Sequence, residues 1–273
     1  MRDPAHRAVY AALTVQDPYS ANLTRLALTL ADLGYIDQAR AGMDEALSEA
    51  HRLDHAYTMA WVLGQVCKAE WLIGSPEVQR RAEELVALAN EHGFPYWLGL
   101  GLIFHGWSLA ALGQAQEGIS LLAKGLSGIR ATGAVHVTPC ALCSLADAHA
   151  KVGLPDEGLN CLAEAEQIIE TTDERFWESE LHRLRGDLLN ATGDRAAAKQ
   201  NYHQALAVAK RQSAKPFELR AATSLARLWR DQGKRSEARD LLAPIYNWFT
   251  EGFDTPVLQE AKALLDCISW NSL

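Results

Sequence analysis

The 273 residues carry 26 Lys and Arg against 34 Asp and Glu, a formal charge of −8. With 48% hydrophobic and 22% charged residues, the chain can bury a substantial core, which excludes a disordered, collagen-like or mucin-like segment. The acidic balance also disfavours nucleic acid as a partner, because phosphate backbones are held by an excess of Lys and Arg.

At the amino terminus, Met1-Arg2-Asp3-Pro4-Ala5-His6-Arg7 places an Asp, a His and a second Arg where a secretory signal would turn apolar. A cytoplasmic chain is therefore expected. Its five cysteines, Cys67, Cys140, Cys143, Cys161 and Cys267, are odd in number and scattered, which fits reduced, packed thiols better than a disulfide framework. Residues of about 4–15 read as a lone leading helix.

From there a glycine recurs at Gly34, Gly74, Gly113, Gly153, Gly193 and Gly233, at spacings of 40, 39, 40, 40 and 40. This is an internal repeat. Seven residues before each glycine the side chain is small (Ala27, Cys67, Gly106, Ala146, Gly186, Ala226), and five after it Ala39, Gly118, Gly158, Ala198 and Ala238 are small again. A glycine in the left-handed conformation ends one helix and turns the chain into the next, and small residues let the two helices approach closely. Each repeat is thus a helical hairpin, with boundaries of about 18–53, 54–93, 94–134, 135–173, 174–213 and 214–251. In the second, the turn Gly74-Ser75-Pro76-Glu77 holds three extra residues.

Within the third hairpin, Tyr96 to Gly113 contains no Lys, Arg, Asp or Glu. It carries His105 in its middle and no basic flank, so it reads as a buried helix and not as a membrane span, which needs about 20 predominantly apolar residues. After the sixth hairpin, about 256–269 forms a terminal helix that caps the apolar end of the stack. The predicted fold is an all-α solenoid of about six hairpins with a leading and a capping helix, one domain over 1–273.

The chemistry-bearing patterns are sparse. Cys140-x-x-Cys143 has no second pair, whereas a structural zinc site needs about four ligands. His105, His149 and His182 fall on first helices without an H-E-x-x-H pattern, no G-x-S-x-G occurs, and no G-x-x-x-x-G-K-[ST] occurs. No catalytic residue, metal or cofactor is expected.

Glycine at the turn, small residues at the crossings and Leu-rich hairpins resemble the tetratricopeptide repeat, whose period is about 34 where this chain's is 40. More narrowly, FPYWLGLGLIFHGWSLAALGQAQEGI (94–119), ESELHRLRGDLL (178–189) and RAATSLARLWRDQGKRSEARDLLAPIYNWFTEGFDTPVLQEAKALL (220–265) are similar to the carboxy-terminal repeat arrays of large bacterial signalling proteins. Those join a class III nucleotide cyclase or a DNA-binding domain to a signal-transduction ATPase and then to the repeats. The resemblance implies a sensor and interaction arm without the output domains.

In such stacks the first helices line the concave face, which nominates Arg25, Trp61, Gln65, Lys68, Trp71, Phe104, Trp107, Asp147, Arg183, Asp187, Arg220, Arg227 and Arg230 as groove residues. The middle of this set is aromatic and its end is basic. Residues 195–239 hold eleven Lys and Arg against three Asp and Glu, so the remainder carries −16. Arg220, Arg227 and Arg230, at spacings of 7 and 3, share one helical face and point to an acidic peptide, a carboxylate or a phosphate group. Packed Trp residues, and Arg residues paired with Glu180 and Asp187, are the plain alternative. The heat-shock chaperone clamp of the family is not reproduced, since Thr24, Leu28, Leu100 and Phe104 stand in its places. The expected function is a non-catalytic scaffold for a protein or peptide partner. The alternative is a small-metabolite sensor relaying to an ATPase, a nucleotide cyclase or a transcription regulator, with an aromatic pocket around Trp61, Trp71 and Trp107.

Overall fold

A computed structural model describes residues 15–270. All but the last residue of the expected leading helix, about 4–15, lies outside this range. Among the described residues there are thirteen α-helices and no strand: α1 (Pro18–Asp32), α2 (Ile36–Leu53), α3 (Ala56–Ile73), α4 (Val78–His92), α5 (Pro95–Ala111), α6 (Ala115–Ala131), α7 (Thr138–Lys151), α8 (Pro155–Thr172), α9 (Glu178–Ala191), α10 (Arg195–Gln212), α11 (Lys215–Asp231), α12 (Arg235–Tyr246) and α13 (Pro256–Trp270). No described helix is long and apolar enough to cross a membrane.

Local chemistry starts and stops these helices. Proline occupies the first position of α1, α5, α8 and α13, where its missing N–H is not needed and its fixed φ suits the helix. Asp17 caps α1 by accepting from the Ser20 amide at 2.8 Å, and Asp194 caps α10 by accepting from the Ala197 amide at 3.0 Å. Consecutive helices pair as α1/α2, α3/α4, α5/α6, α7/α8, α9/α10 and α11/α12, and each pair packs on the next. Ala27, Ala39, Ala46, Ala146, Ala165, Ala226 and Ala238 are all buried, and a Cβ on Gly42 would lie 3.1 Å from that of Ala27, so backbones approach where larger side chains would hold them apart.

The array does not remain an open arc. α11 of the sixth hairpin reaches α1 of the first, and the segment before α13 packs on the first hairpin's turn. A Cβ on Gly34, at φ 85°, would lie 2.8 Å from Trp248 and 2.9 Å from Phe249, and one on Gly252, at φ 76°, would lie 2.6 Å from Ile36. Both glycines therefore serve the turn and the closure at once. Tyr35 gives α2 no side-chain cap. Glu251 supplies it from across the ring, accepting from the amides of Asp37 at 3.0 Å and Gln38 at 3.3 Å, where the helix dipole favours an anion. Arg40 adds a 2.8 Å ion pair to Asp254.

Two carboxyls inside the first two hairpins oppose stability at neutral pH. Burial pushes Asp32 from 3.8 to about 7 against the distant pull of Lys68, and pushes Glu70 from 4.5 to about 7 although Arg81 stands 3.9 Å away. Well below the ordinary values of 3.8 and 4.5 the carboxyls are protonated in both states and cost nothing; as pH rises through those values the unfolded chain ionises first, so native stability is lost up to about pH 7. An Asp32→Asn, Glu70→Gln variant is expected to melt above the parent at pH 8, by on the order of 3 kcal/mol per site, with the gap narrowing steadily as the pH is lowered towards the ordinary carboxylate range. Melting curves across that pH range check this, and a gap that is as large at acid pH as at pH 8 refutes the assignment.

Candidate functional site

First helices line the inside of the ring, and an aromatic cluster crosses it. Trp71 of α3 meets Trp107 of α5 at 5.9 Å between ring centroids, Trp177 before α9 at 4.6 Å and Phe217 of α11 at 6.1 Å. Arg220 lies over the Trp71 ring at 4.8 Å and donates from Nη2 to the carbonyls of Trp71 at 3.0 Å and Leu72 at 3.2 Å. These carbonyls belong to the last turn of α3, where the Gly74 amide also donates to that of Trp71 at 3.1 Å. The guanidinium thus ties residues 148 and 149 positions away in sequence. The cluster separates two cavities, with Trp177 lining the smaller and Trp107 and Arg220 the larger.

The larger cavity, about 530 Å³, is lined by Trp107, Asp147, Glu180, Arg183, Arg220, Arg227, by the turn after α3 and by Pro256, Val257 and Glu260 of α13. Its charges are mutually paired. Arg183 makes a fork to Glu180 at 2.6 and 2.8 Å and reaches Asp187 at 2.5 Å, while Arg220 Nη1 reaches the same Glu180 at 3.3 Å. Tyr202 donates to Asp187 at 2.7 Å. Burial would raise the Glu180 carboxyl, but Arg183 and Arg220 more than offset it and hold it below the usual carboxylate range. Burial wins at Asp187, which is raised despite Arg183. At the mouth, Arg227 pairs with Glu260, an ion pair about half exposed on both sides.

The smaller cavity, about 140 Å³, is lined by Gln65, Lys68, Tyr96, Phe104, His136, Glu174 and Trp177, with Leu100, Val137 and Cys140 among its apolar wall. Lys68 Nζ stands 3.8 Å from the centroid of Phe176 and 5.9 Å from that of Trp177. Tyr96 Oη and His136 Nε2 are 2.9 Å apart. Burial lowers the pKa of Lys68.

The nominated residues therefore divide. Trp107, Asp147, Arg183, Arg220 and Arg227 meet in the larger cavity, with Asp187 behind Arg183, and Gln65, Lys68 and Phe104 meet in the smaller. Trp71 is buried between them. Trp61 stands apart, donating to Thr24 at 3.4 Å and stacking under Arg25 at 5.4 Å, and Arg230 pairs with its neighbour Asp231. Trp61, Trp71 and Trp107 do not enclose one pocket. Cys140 and Cys143 are buried, the Cys140 thiol pushed up to about 12, and His105 faces Glu83 at 3.4 Å. Trp177, Phe217, Tyr96 and His136 were not nominated, although the repeat carries a signal for them: Tyr96 and His136 are 40 apart, as are Trp177 and Phe217, so each pair occupies one position of successive hairpins.

No protein-family model matches the chain. An uncharacterized protein of Rhizobium meliloti (strain 1021) is 27% identical over 214 residues, covering 78% of this chain and 21% of that protein, so the chain spans about a fifth of the length of this curated relative. Among solved structures, the apo form of RapI superposes with a TM-score of 0.64 at 12% identity, over 95% of this chain and 89% of that one. A Rap protein complexed with competence and sporulation factor gives 0.53 at 14%, over 92% and 87%. A signal transduction ATPase with numerous domains and a tetratricopeptide-repeat sensor, from Pyrococcus horikoshii, gives 0.50 at 16%, over 89% and 38%. With thirteen described helices in hairpins of 40-residue period, this chain is a tetratricopeptide-like helical-repeat solenoid.

Proposed function

We propose that the chain is the cytoplasmic, non-catalytic protein-binding arm of a bacterial signalling system, that it receives an acidic segment of its partner on the inner face, and that it answers to an ATPase or nucleotide cyclase output domain. The observation that carries this is the mouth of the larger cavity. Arg183 and Arg220 are consumed by buried partners, but Arg227 is held by Glu260 in an exposed pair of the kind that contributes little, about 0–1 kcal/mol. An incoming carboxylate exchanges with Glu260 at small cost and gains the fork geometry of arginine. The likeness to a Rap protein recorded with a bound factor and to a sensor array joined to an ATPase supports the same reading.

The test is a pull-down from the source cell's lysate with the parent and an Arg227→Glu, Arg230→Glu variant, bound proteins being identified by mass spectrometry. Arg220 is left intact because it holds the ring. A protein retained by the parent and lost by the variant is the expected result, and identical retention by both overturns the acidic-segment reading. A second reading, a metabolite sensor relaying to an ATPase, a cyclase or a transcription regulator, is favoured by one observation: a cavity of about 530 Å³ lies within the roughly 300–1,000 Å³ range of small-molecule sites. A thermal-shift screen of small metabolites separates the two.

A further inference from the structure

Lys68 differs from the arginines that line the larger cavity. Arg183, Arg220 and Arg227 each lie within ion-pairing distance of a carboxylate, whereas among the described residues no carboxylate oxygen stands within 4.0 Å of Lys68 Nζ, which lies over the Phe176 ring and beside that of Trp177. Glu174, at the rim of the same cavity, and Asp32 act on it from farther off. Taking an ammonium from water against apolar walls is costly unless it is paired, and ring faces offset only part of that. Among the described residues Lys68 makes no ion pair or hydrogen bond in return.

We propose that the cavity around Lys68 is a carboxylate subsite, in which an acidic side chain borne by a bound partner segment pairs with the Lys68 ammonium and lies against Leu100 and Phe104, with Gln65 and Tyr96 as further donors. The size fits: about 140 Å³ is the room of four or five waters at about 30 Å³ each, enough for a carboxylate and a methylene or two. The charge fits a monoanion. One ammonium balances one negative charge, and the second charge of a phosphate dianion would be left uncompensated beside Glu174. The tight enclosure by first helices from the second, third and fourth hairpins, closed by Trp177 of the fifth, also holds the donors in place before the ligand arrives.

This rests on the reading of the inner face as an interaction surface, but its test needs no partner. The protein is titrated with N-acetyl-glutamate amide, with its neutral isostere N-acetyl-glutamine amide and with acetate, following the fluorescence of the tryptophans. Saturable binding of the glutamate amide alone is expected, weakened at least tenfold in Lys68→Met and strengthened several-fold in Glu174→Gln, which removes the competing charge. Equal response to glutamate and glutamine amides, no saturation with either, or an unchanged Lys68→Met overturns the subsite. Acetate binding as tightly as the glutamate amide assigns the cavity to a free carboxylate and overturns the partner-borne source. Where Lys68→Met loses its helical signal, Glu174→Gln decides alone: no strengthening refutes the proposal. Loss of the subsite with Arg227-dependent capture intact leaves the scaffold reading standing, and the reverse result leaves the subsite standing.

Discussion

Glu180→Ala is expected to destabilise the protein by about 3–5 kcal/mol, the range found when one partner of a buried ion pair is removed. The Glu180 side chain is 4% exposed and is shared by Arg183 and Arg220, whose side chains are 16% and 14% exposed. Arg183 retains Asp187 after the change. Arg220 does not have such a reserve: burial already lowers its pKa, Glu180 being the main group that raises it, and its remaining bonds go to the neutral carbonyls of Trp71 and Leu72. An uncompensated guanidinium is left against Trp71. Replacing both members, Glu180→Met with Arg220→Met, is expected to recover part of the loss, since no buried charge is then stranded. Urea denaturation of the two single variants and the pair checks this, and a Glu180→Ala cost below 1 kcal/mol refutes the account. Because Arg220 ties the sixth hairpin to the second, amide exchange at the end of α3 is expected to quicken in Arg220→Met before global unfolding does.

The second large effect lies in the third hairpin. Here α5 and α6 meet backbone to backbone: a Cβ on Gly118 would lie 2.5 Å from the Gly106 carbonyl oxygen, and one on Gly125 would lie 2.7 Å from that of Gly99. Neither obstacle is a side chain that rotates away, so the helices must part. Overpacking of this kind costs about 1–3 kcal/mol, and Gly118→Ala and Gly125→Ala are each expected to lower stability by about 2 kcal/mol. Together they should cost less than the sum, because one displacement of α6 relieves both. Gly128 of the same helix is the control. Its added Cβ would meet only the Gly99 Cα at 3.7 Å, so Gly128→Ala is expected to gain up to about 1 kcal/mol of helix propensity. Equal effects at Gly118 and Gly128 in urea titrations refute the close-approach argument.

Much of this architecture was legible because its causes are local and repeated. Gly34 and its successors turn each hairpin, Ala27 and its equivalents set each crossing, and the absence of charge from 96 to 113 marks a helix that the stack surrounds. The candidate groove was legible in part. Counting along first helices picked out some of the residues that line the two cavities, among them Arg183, Arg220 and Lys68, since helical phase fixes which side of a helix a residue occupies, but it passed over Tyr96, His136 and Trp177. It could not say which arginine is held by an exposed partner and which by a buried one. Arg183, Arg220 and Arg227 look alike in sequence, yet two are spent on Glu180 and one stands in an exposed pair.

By itself the sequence determined the helical hairpins, their number, their 40-residue period and their small-residue crossings, because each depends on residues within one repeat or its neighbour. Tertiary structure alone decided that the ring closes, that Glu251 caps α2 from more than 200 positions away, that Trp71 meets aromatic rings of three other hairpins, and that no carboxylate among the described residues pairs with Lys68. Those outcomes follow from small rotations summed over six hairpins, and a sum of that kind has no signature at any single position.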